Sequence, residues 1–100
     1  MTVSIVTLWT TPNIPASTEV AKQSKAAWVK LGALDARLNQ IFTGSQTGKW
    51  LFVVTFVDMA AYAKASAAAA TSADMQKLLA DNVKIGAAMH DRTILVGVDI

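Results

Sequence analysis

The sequence predicts a single α+β domain with the element order strand, helix, strand, strand, helix, strand. Three observations lead there. The chain has 100 residues, enough for one domain and one modest core. Apolar and other residues alternate with period two over residues 3–10, 35–43, 49–57 and 93–100. Helical spacing fills the two long intervals between the first and second and between the third and fourth of these runs.

The first strand places Val3, Ile5, Thr7 and Trp9 on one face and Ser4, Val6, Leu8 and Thr10 on the other. Thr11-Pro12-Asn13-Ile14-Pro15 then interrupts regular structure, because proline lacks the N–H that a central strand or helix interior needs. Ser17 or Thr18 is expected to cap the first helix, with Glu19 in its first turn. Val20, Ser24, Ala27, Trp28 and Leu31 form its inward face, Lys22, Lys25 and Lys30 its solvated side, and Gly32 ends it.

The second strand, residues 35–43, sets Ala36, Leu38, Gln40 and Phe42 against Arg37, Asn39, Ile41 and Thr43. Gly44-Ser45-Gln46-Thr47-Gly48 is a hairpin loop. The third strand, residues 49–57, is the clearest, with Trp50, Phe52, Val54 and Phe56 on one side. Asp58 caps a helix from Met59 to about Ala70. Thr71-Ser72-Ala73-Asp74 resembles a capping box, so the second helix is split near residue 71 and restarts with Met75, Leu78, Leu79, Val83 and Ala87 as its apolar face. His90-Asp91-Arg92 is expected to lead into a last strand from Thr93 to Ile100.

This order is the split βαβ arrangement of the ferredoxin-like fold: a four-stranded antiparallel sheet with two helices on one face. The other face should then be polar if it meets water. It is not, since the third strand is apolar on both sides and the first offers either Ile5 and Trp9 or Val6 and Leu8. Residues are 53% hydrophobic and only 16% charged, where roughly 25% is ordinary, so charges are scarce for clothing a lone globule. A second copy pairing sheet to sheet into a dimeric α/β barrel covers that face, and a homodimer is expected. The alternative is a smaller apolar patch and a monomer.

Composition bounds function mainly by exclusion. There is no cysteine, hence no disulfide and no thiolate chemistry. One histidine and scattered carboxylates make no three-ligand metal cluster. The net charge of +2 comes from dispersed residues, without a nucleic-acid or membrane patch. Gly48-Lys49-Trp50 lacks the basic-Gly-Phe pattern of RNA-binding sheets, and the Gly44–Gly48 loop is no P-loop. The N-terminus does not read as a signal peptide and no apolar run spans a bilayer, so a cytoplasmic location is expected.

Trp50 to Tyr62, an apolar strand running through Asp58 into a helix, and Thr71 to Leu79, a helix break and restart, are similar to the dimeric α/β barrel superfamily, which includes antibiotic-biosynthesis-monooxygenase-like domains. The resemblance covers essentially the whole chain by element order. It implies a ligand pocket between sheet and helices, and activities ranging from cofactor-free oxygenation and haem degradation to cyclisation, or none. Haem-degrading members place a histidine on the second helix. None stands near Lys64, Met75 or Lys77, so haem of that type is not expected. The glutamate–tryptophan pattern that ends the corresponding strand in monooxygenase-type members is replaced by Val54 and Phe56.

Candidate site residues follow from chemistry. His90 is the only side chain that ordinarily titrates near neutrality; with Asp91 to orient it, it is a candidate general base, or else simply a polar residue in a helix-to-strand loop. Tyr62 can donate a hydrogen bond into the space above the sheet, or simply satisfy itself in the core. Trp28 on the inward helix face is the best pocket wall, whereas Trp50 is expected to pack. Arg92 is placed near the pocket rim, and Arg37 and Asn39 share a strand face that is either a rim or a solvated edge. The expected function is a cofactor-free and metal-independent enzyme, monooxygenase- or cyclase-like, acting on an apolar or aromatic small molecule. The alternative is a non-catalytic small-molecule-binding or interaction module. A pocket of at least ~300 Å³ between Trp28, Tyr62 and the sheet favours a small-molecule enzyme or binder, a cavity across the two-fold favours a non-catalytic sensor or interaction module, and a filled interior favours a structural relative without a ligand.

Overall fold

A computed structural model describes residues 1–100. Its elements are β1 (Val3–Thr10), α1 (Ile14–Lys30), β2 (Asp35–Gln40), β3 (Trp50–Phe56), α2 (Met59–Ala70), α3 (Ala73–Lys84) and β4 (Ala88–Val96). The strands form one antiparallel sheet in the order β2-β3-β1-β4, with the helices on one face. The whole is a slab 17 Å through its thinnest axis, one sheet and one helical layer.

Local chemistry fixes the helix ends. Asn13, not Ser17 or Thr18, caps α1: its side chain accepts the N–H of Ala16 at 3.1 Å. The helix therefore starts earlier than expected, with Pro15 in the first turn, where a missing N–H costs nothing. Ser17 donates instead to Thr11 Oγ1 at 2.6 Å and Thr18 to the Ile14 carbonyl at 2.8 Å. Gly32, at φ 116°, takes the left-handed conformation that turns the chain out of α1. Asp58 caps α2 by accepting the Ala61 N–H at 2.8 Å. The second helix breaks at Thr71 as its sequence predicts, but Ser72 is the residue that caps α3, through the Met75 N–H at 3.3 Å.

Both edge strands differ from expectation. β2 stops at Gln40, and Phe42 is 90% exposed in the loop. β4 occupies Ala88–Val96 instead of Thr93–Ile100, because Gly86 (φ 80°) turns the chain directly from α3 into the sheet. Pairing with β1 begins there, Thr10 with Ala88, and ends at Val3 with Val96, where β1 runs out of partners. His90 and Asp91 thus lie inside a strand, and the register slips by one residue between Leu8 and Trp9.

The helix-facing side of the sheet is built in rows. Val54 and Ile5 lie beside Ala36 and Ile94, and Phe52 and Thr7 lie beside Leu38 and Arg92. Val3, Ile5, Ala36, Val54 and Phe56 pack there with Ala33 and Ala65. Phe56 is fully buried and meets Trp28 and Tyr62 edge-on, at ring-centroid distances of 6.1 and 5.5 Å. A second cluster of Val20, Met75 and Leu78 joins α1 to α3. Leu79 and Val83, expected inside, are 65% and 78% exposed. Met75, Leu78 and Asn82 hold the inward stripe of α3 at spacings of three and four; Leu79, four residues after Met75, borders the cavity at its open edge, and Val83 turns outward. No helix packs closely on β4, which is exposed along its length.

Candidate functional site

The rows of the sheet and the three helices enclose a cavity of about 340 Å³. Its floor is Ile5, Thr7, Phe52 and Val54. Trp28 from α1 and Tyr62 from α2 stand beside it, both held edge-on to Phe56. Met75, Leu78 and Asn82 of α3 face it across the floor. The lining is mainly apolar, as a binding site for an apolar molecule requires. The absence of a helix over β4 leaves the side bordered by Met89 and Arg92 uncovered.

Arg92 reaches this space because it sits opposite Thr7 in the β1–β4 ladder, on the helix side of the sheet. Its Nη2 donates to the Tyr62 hydroxyl oxygen, and its guanidinium carbon lies 5.9 Å from the centre of the Tyr62 ring. Trp28, Tyr62 and Arg92 are thereby brought to one cavity.

His90 is not brought there. It stands where the β1–β4 register slips, is exposed, and places Nε2 2.7 Å from Thr10 Oγ1. Asp91 does not orient it; the Asp91 carboxylate accepts from the Thr93 hydroxyl at 3.2 Å. Arg37 and Asn39 lie on the exposed outer side of edge strand β2, so they are not a cavity rim. Arg37 is 3.7 Å from Asp35, which also pairs with Lys25 at 3.2 Å. The Lys25 hydrogen bond holds the Asp35 carboxyl below the usual aspartate range, helped by the Ala36 N–H. No three His, Cys, Asp or Glu side chains converge as a metal would need, and no helix is long and apolar enough to cross a membrane.

Sequence reasoning missed Thr7 and Asn82. The Thr7 hydroxyl accepts the Trp9 indole N–H at 2.7 Å and donates to the Phe52 carbonyl at 3.3 Å. Asn82 is half-buried, and its carboxamide makes no hydrogen bond within the protein. Its signal was available: it is the one polar residue on the Met75–Leu78 stripe. Trp9, Phe52, Ser24 and Asn82 also border a narrow second cleft of about 60 Å³, where Trp50 lies with Leu38 under the first turns of α1.

No protein-family model matches the sequence, and no curated protein is similar to it by sequence. Solved structures are similar in fold. SnoaB, a cofactor-independent oxygenase from Streptomyces nogalater, superposes in a mutant form with a TM-score of 0.73 at 13% identity, over 99% of this chain and 95% of that one. A NIPSNAP-family protein of unknown function from Agrobacterium tumefaciens gives 0.63 at 10% identity, over 94% and 84% of the two chains. An EthD-family protein from Bacillus halodurans gives 0.58 at 16% identity, with both chains fully covered. At these identities the likeness establishes the fold alone, the ferredoxin-like βαββαβ arrangement.

Proposed function

We propose that the chain binds an apolar, aromatic small molecule in the cavity between sheet and helices and acts on it without a metal, in the manner of a cofactor-independent oxygenase. The observation that carries this reading is the cavity itself, about 340 Å³ bounded by Trp28, Tyr62 and the sheet. The fold likeness to an oxygenase supports it by analogy. In this reading Trp28 and Phe52 hold the ring system and exclude water. Tyr62 already accepts from Arg92, so its hydroxyl proton is free to donate to a ligand oxygen. Without a cofactor, the ligand itself supplies the electrons that reduce O2, which calls for an electron-rich aromatic. His90 faces away from the cavity and carries no step here.

One observation favours the second reading, a binding module without catalysis. The cavity is lined by no carboxylate and no imidazole, so a proton leaving the ligand has no conventional acceptor in the wall. A homodimer belongs to both readings. It is supported by the half-buried apolar residues Val6, Leu8, Leu51 and Val53, which lie on the far side of the sheet from the helices.

The test is a titration with 2-naphthol and anthrone, followed by tryptophan fluorescence, and then oxygen uptake with each compound bound. Saturable quenching that Ser24→Trp abolishes is the expected result. Oxygen uptake above the protein-free rate selects the oxygenase; saturable binding without uptake selects the binding module. No saturable binding of either compound overturns both.

A further inference from the structure

We infer that Arg92 and Tyr62 form a seat for the carboxylate of the ligand, so that the natural ligand is an aromatic acid bound with its charged group at the mouth of the cavity. This rests on the proposed reading of the cavity as a small-molecule site and adds the ligand's charge.

Arg92 is the only charged side chain among the cavity's lining residues. It is in no ion pair: the pairs in the structure are Lys25–Asp35, Arg37–Asp35 and Lys77–Asp81. The adjacent Asp91 is no substitute, because neighbouring strand residues point to opposite faces and its carboxylate is bonded to Thr93. A guanidinium has five N–H donors in a fixed plane, and Arg92 gives one nitrogen to the Tyr62 hydroxyl. That bond and the nearby Tyr62 ring hold the exposed guanidinium at the edge of the cavity.

The Tyr62 hydroxyl adds a donor. Its oxygen accepts from Arg92, so its proton points elsewhere, and the two side chains together offer donors of the kind that a carboxylate's two oxygens accept. Thr7, the cross-strand neighbour of Arg92, has its hydroxyl committed to Trp9 and Phe52 and does not compete. Behind this polar corner the lining is mainly apolar, with Trp9, Trp28 and Phe52 as the aromatic surfaces and Asn82 as a polar side chain across from them. Charge at the mouth and rings inside describe an amphipathic acid.

The experiment compares matched ligands at pH 7.5: 2-naphthoic acid, its neutral amide 2-naphthamide, and octanoic acid as a chain acid without rings. Wild type should bind naphthoate on the order of tenfold more tightly than naphthamide, with the preference shrinking as salt is raised. Arg92→Met should abolish that preference, leaving acid and amide bound with equal affinity, and a preference for the acid that survives in this variant overturns the seat. Arg92→Lys should keep part of it, and Tyr62→Phe should reduce it several-fold. Octanoate should bind more weakly than naphthoate. Equal affinity for acid and amide in wild type overturns the carboxylate seat while leaving the cavity reading standing. Octanoate binding as tightly as naphthoate overturns the aromatic class. Failure of all three ligands to bind overturns the cavity reading and the seat with it.

Discussion

Thr7 anchors Trp9 from two residues along the same strand face, accepting its indole N–H at 2.7 Å while donating to the Phe52 carbonyl at 3.3 Å. The bond fixes the indole where the main cavity meets the narrow cleft. Thr7→Val keeps the side-chain shape and removes the acceptor, leaving a half-buried N–H unpaired. We expect a loss of about 1–2 kcal/mol in urea denaturation, weaker binding of aromatic ligands, and recovery of most of both in Thr7→Ser.

Phe56 is the fully buried ring against which Trp28 and Tyr62 both rest. Phe56→Ala should cost about 3–5 kcal/mol, a large part of the stability of a small domain. Phe56→Leu should cost roughly 1.5 kcal/mol or less and still loosen the two cavity walls. Urea midpoints give the first effect. A drop in ligand affinity larger than the stability change explains gives the second.

The cap of α1 separates two ways of starting that helix. Asn13→Ala should cost about 1 kcal/mol, because Asn13 accepts the Ala16 N–H. Thr18→Ala, at the position the sequence suggested as a cap, should cost only a few tenths of a kcal/mol, since its hydroxyl serves the Ile14 carbonyl inside a formed helix. Thermal or urea denaturation of the two variants side by side decides it.

Those differences show what was legible in the sequence. The alternation of Trp50, Phe52, Val54 and Phe56 announced a central strand because burial on one face dictates it. The breaks at Gly32 and Thr71 were visible because a left-handed turn and a helix restart require particular residues. β4 was misplaced by five residues because Ala88-Met89-His90-Asp91-Arg92 does not alternate. An edge strand exposed on both faces is held by its hydrogen-bond ladder with β1, which leaves little trace in side-chain type. The same shift explains the site. Arg92 reaches the cavity as a strand residue opposite Thr7, while His90, the obvious base by chemistry, stands at the register slip beside Thr10. Asn82 passed unnoticed because a polar residue on an apolar helical stripe reads as an interruption until the space it faces is known.

Acid should weaken the link between α1 and β2. The Asp35 carboxyl is held below its usual range, first by the Lys25 hydrogen bond. A depressed folded-state value means the contribution is present above the unfolded value, about 3.9, and is lost as pH falls through the folded one. Asp35 is exposed to solvent screening, so the effect is small. The difference in melting temperature between wild type and Asp35→Asn should therefore be modest at pH 6, shrink below about pH 4, and shrink also in high salt.

The outer face of the sheet carries the prediction about assembly. Val6 lies opposite Val53 and Leu8 opposite Leu51, so the four side chains form a contiguous apolar square on the two central strands. The edges are different: Arg37 and Asn39 flank it on β2, Asp91 and Thr93 on β4. An apolar centre with a polar rim is the anatomy of a protein interface. The helices cannot cover this square, because all of them lie on the other side. A two-fold partner presenting the same square covers both at once. Light scattering at micromolar concentration should therefore give about twice the chain mass of 10.6 kDa, and the urea midpoint should rise with protein concentration. Val53→Asp puts a charge at the centre of the square and should yield a folded monomer, or a dimer only at much higher concentration. Phe52→Asp, one residue away but facing the cavity, should instead abolish ligand binding and destabilise the fold without acting through the dimer. A wild-type chain that scatters as a folded monomer with a concentration-independent midpoint would mean that the square meets water, and that four apolar side chains on the central strands are tolerated there without a partner.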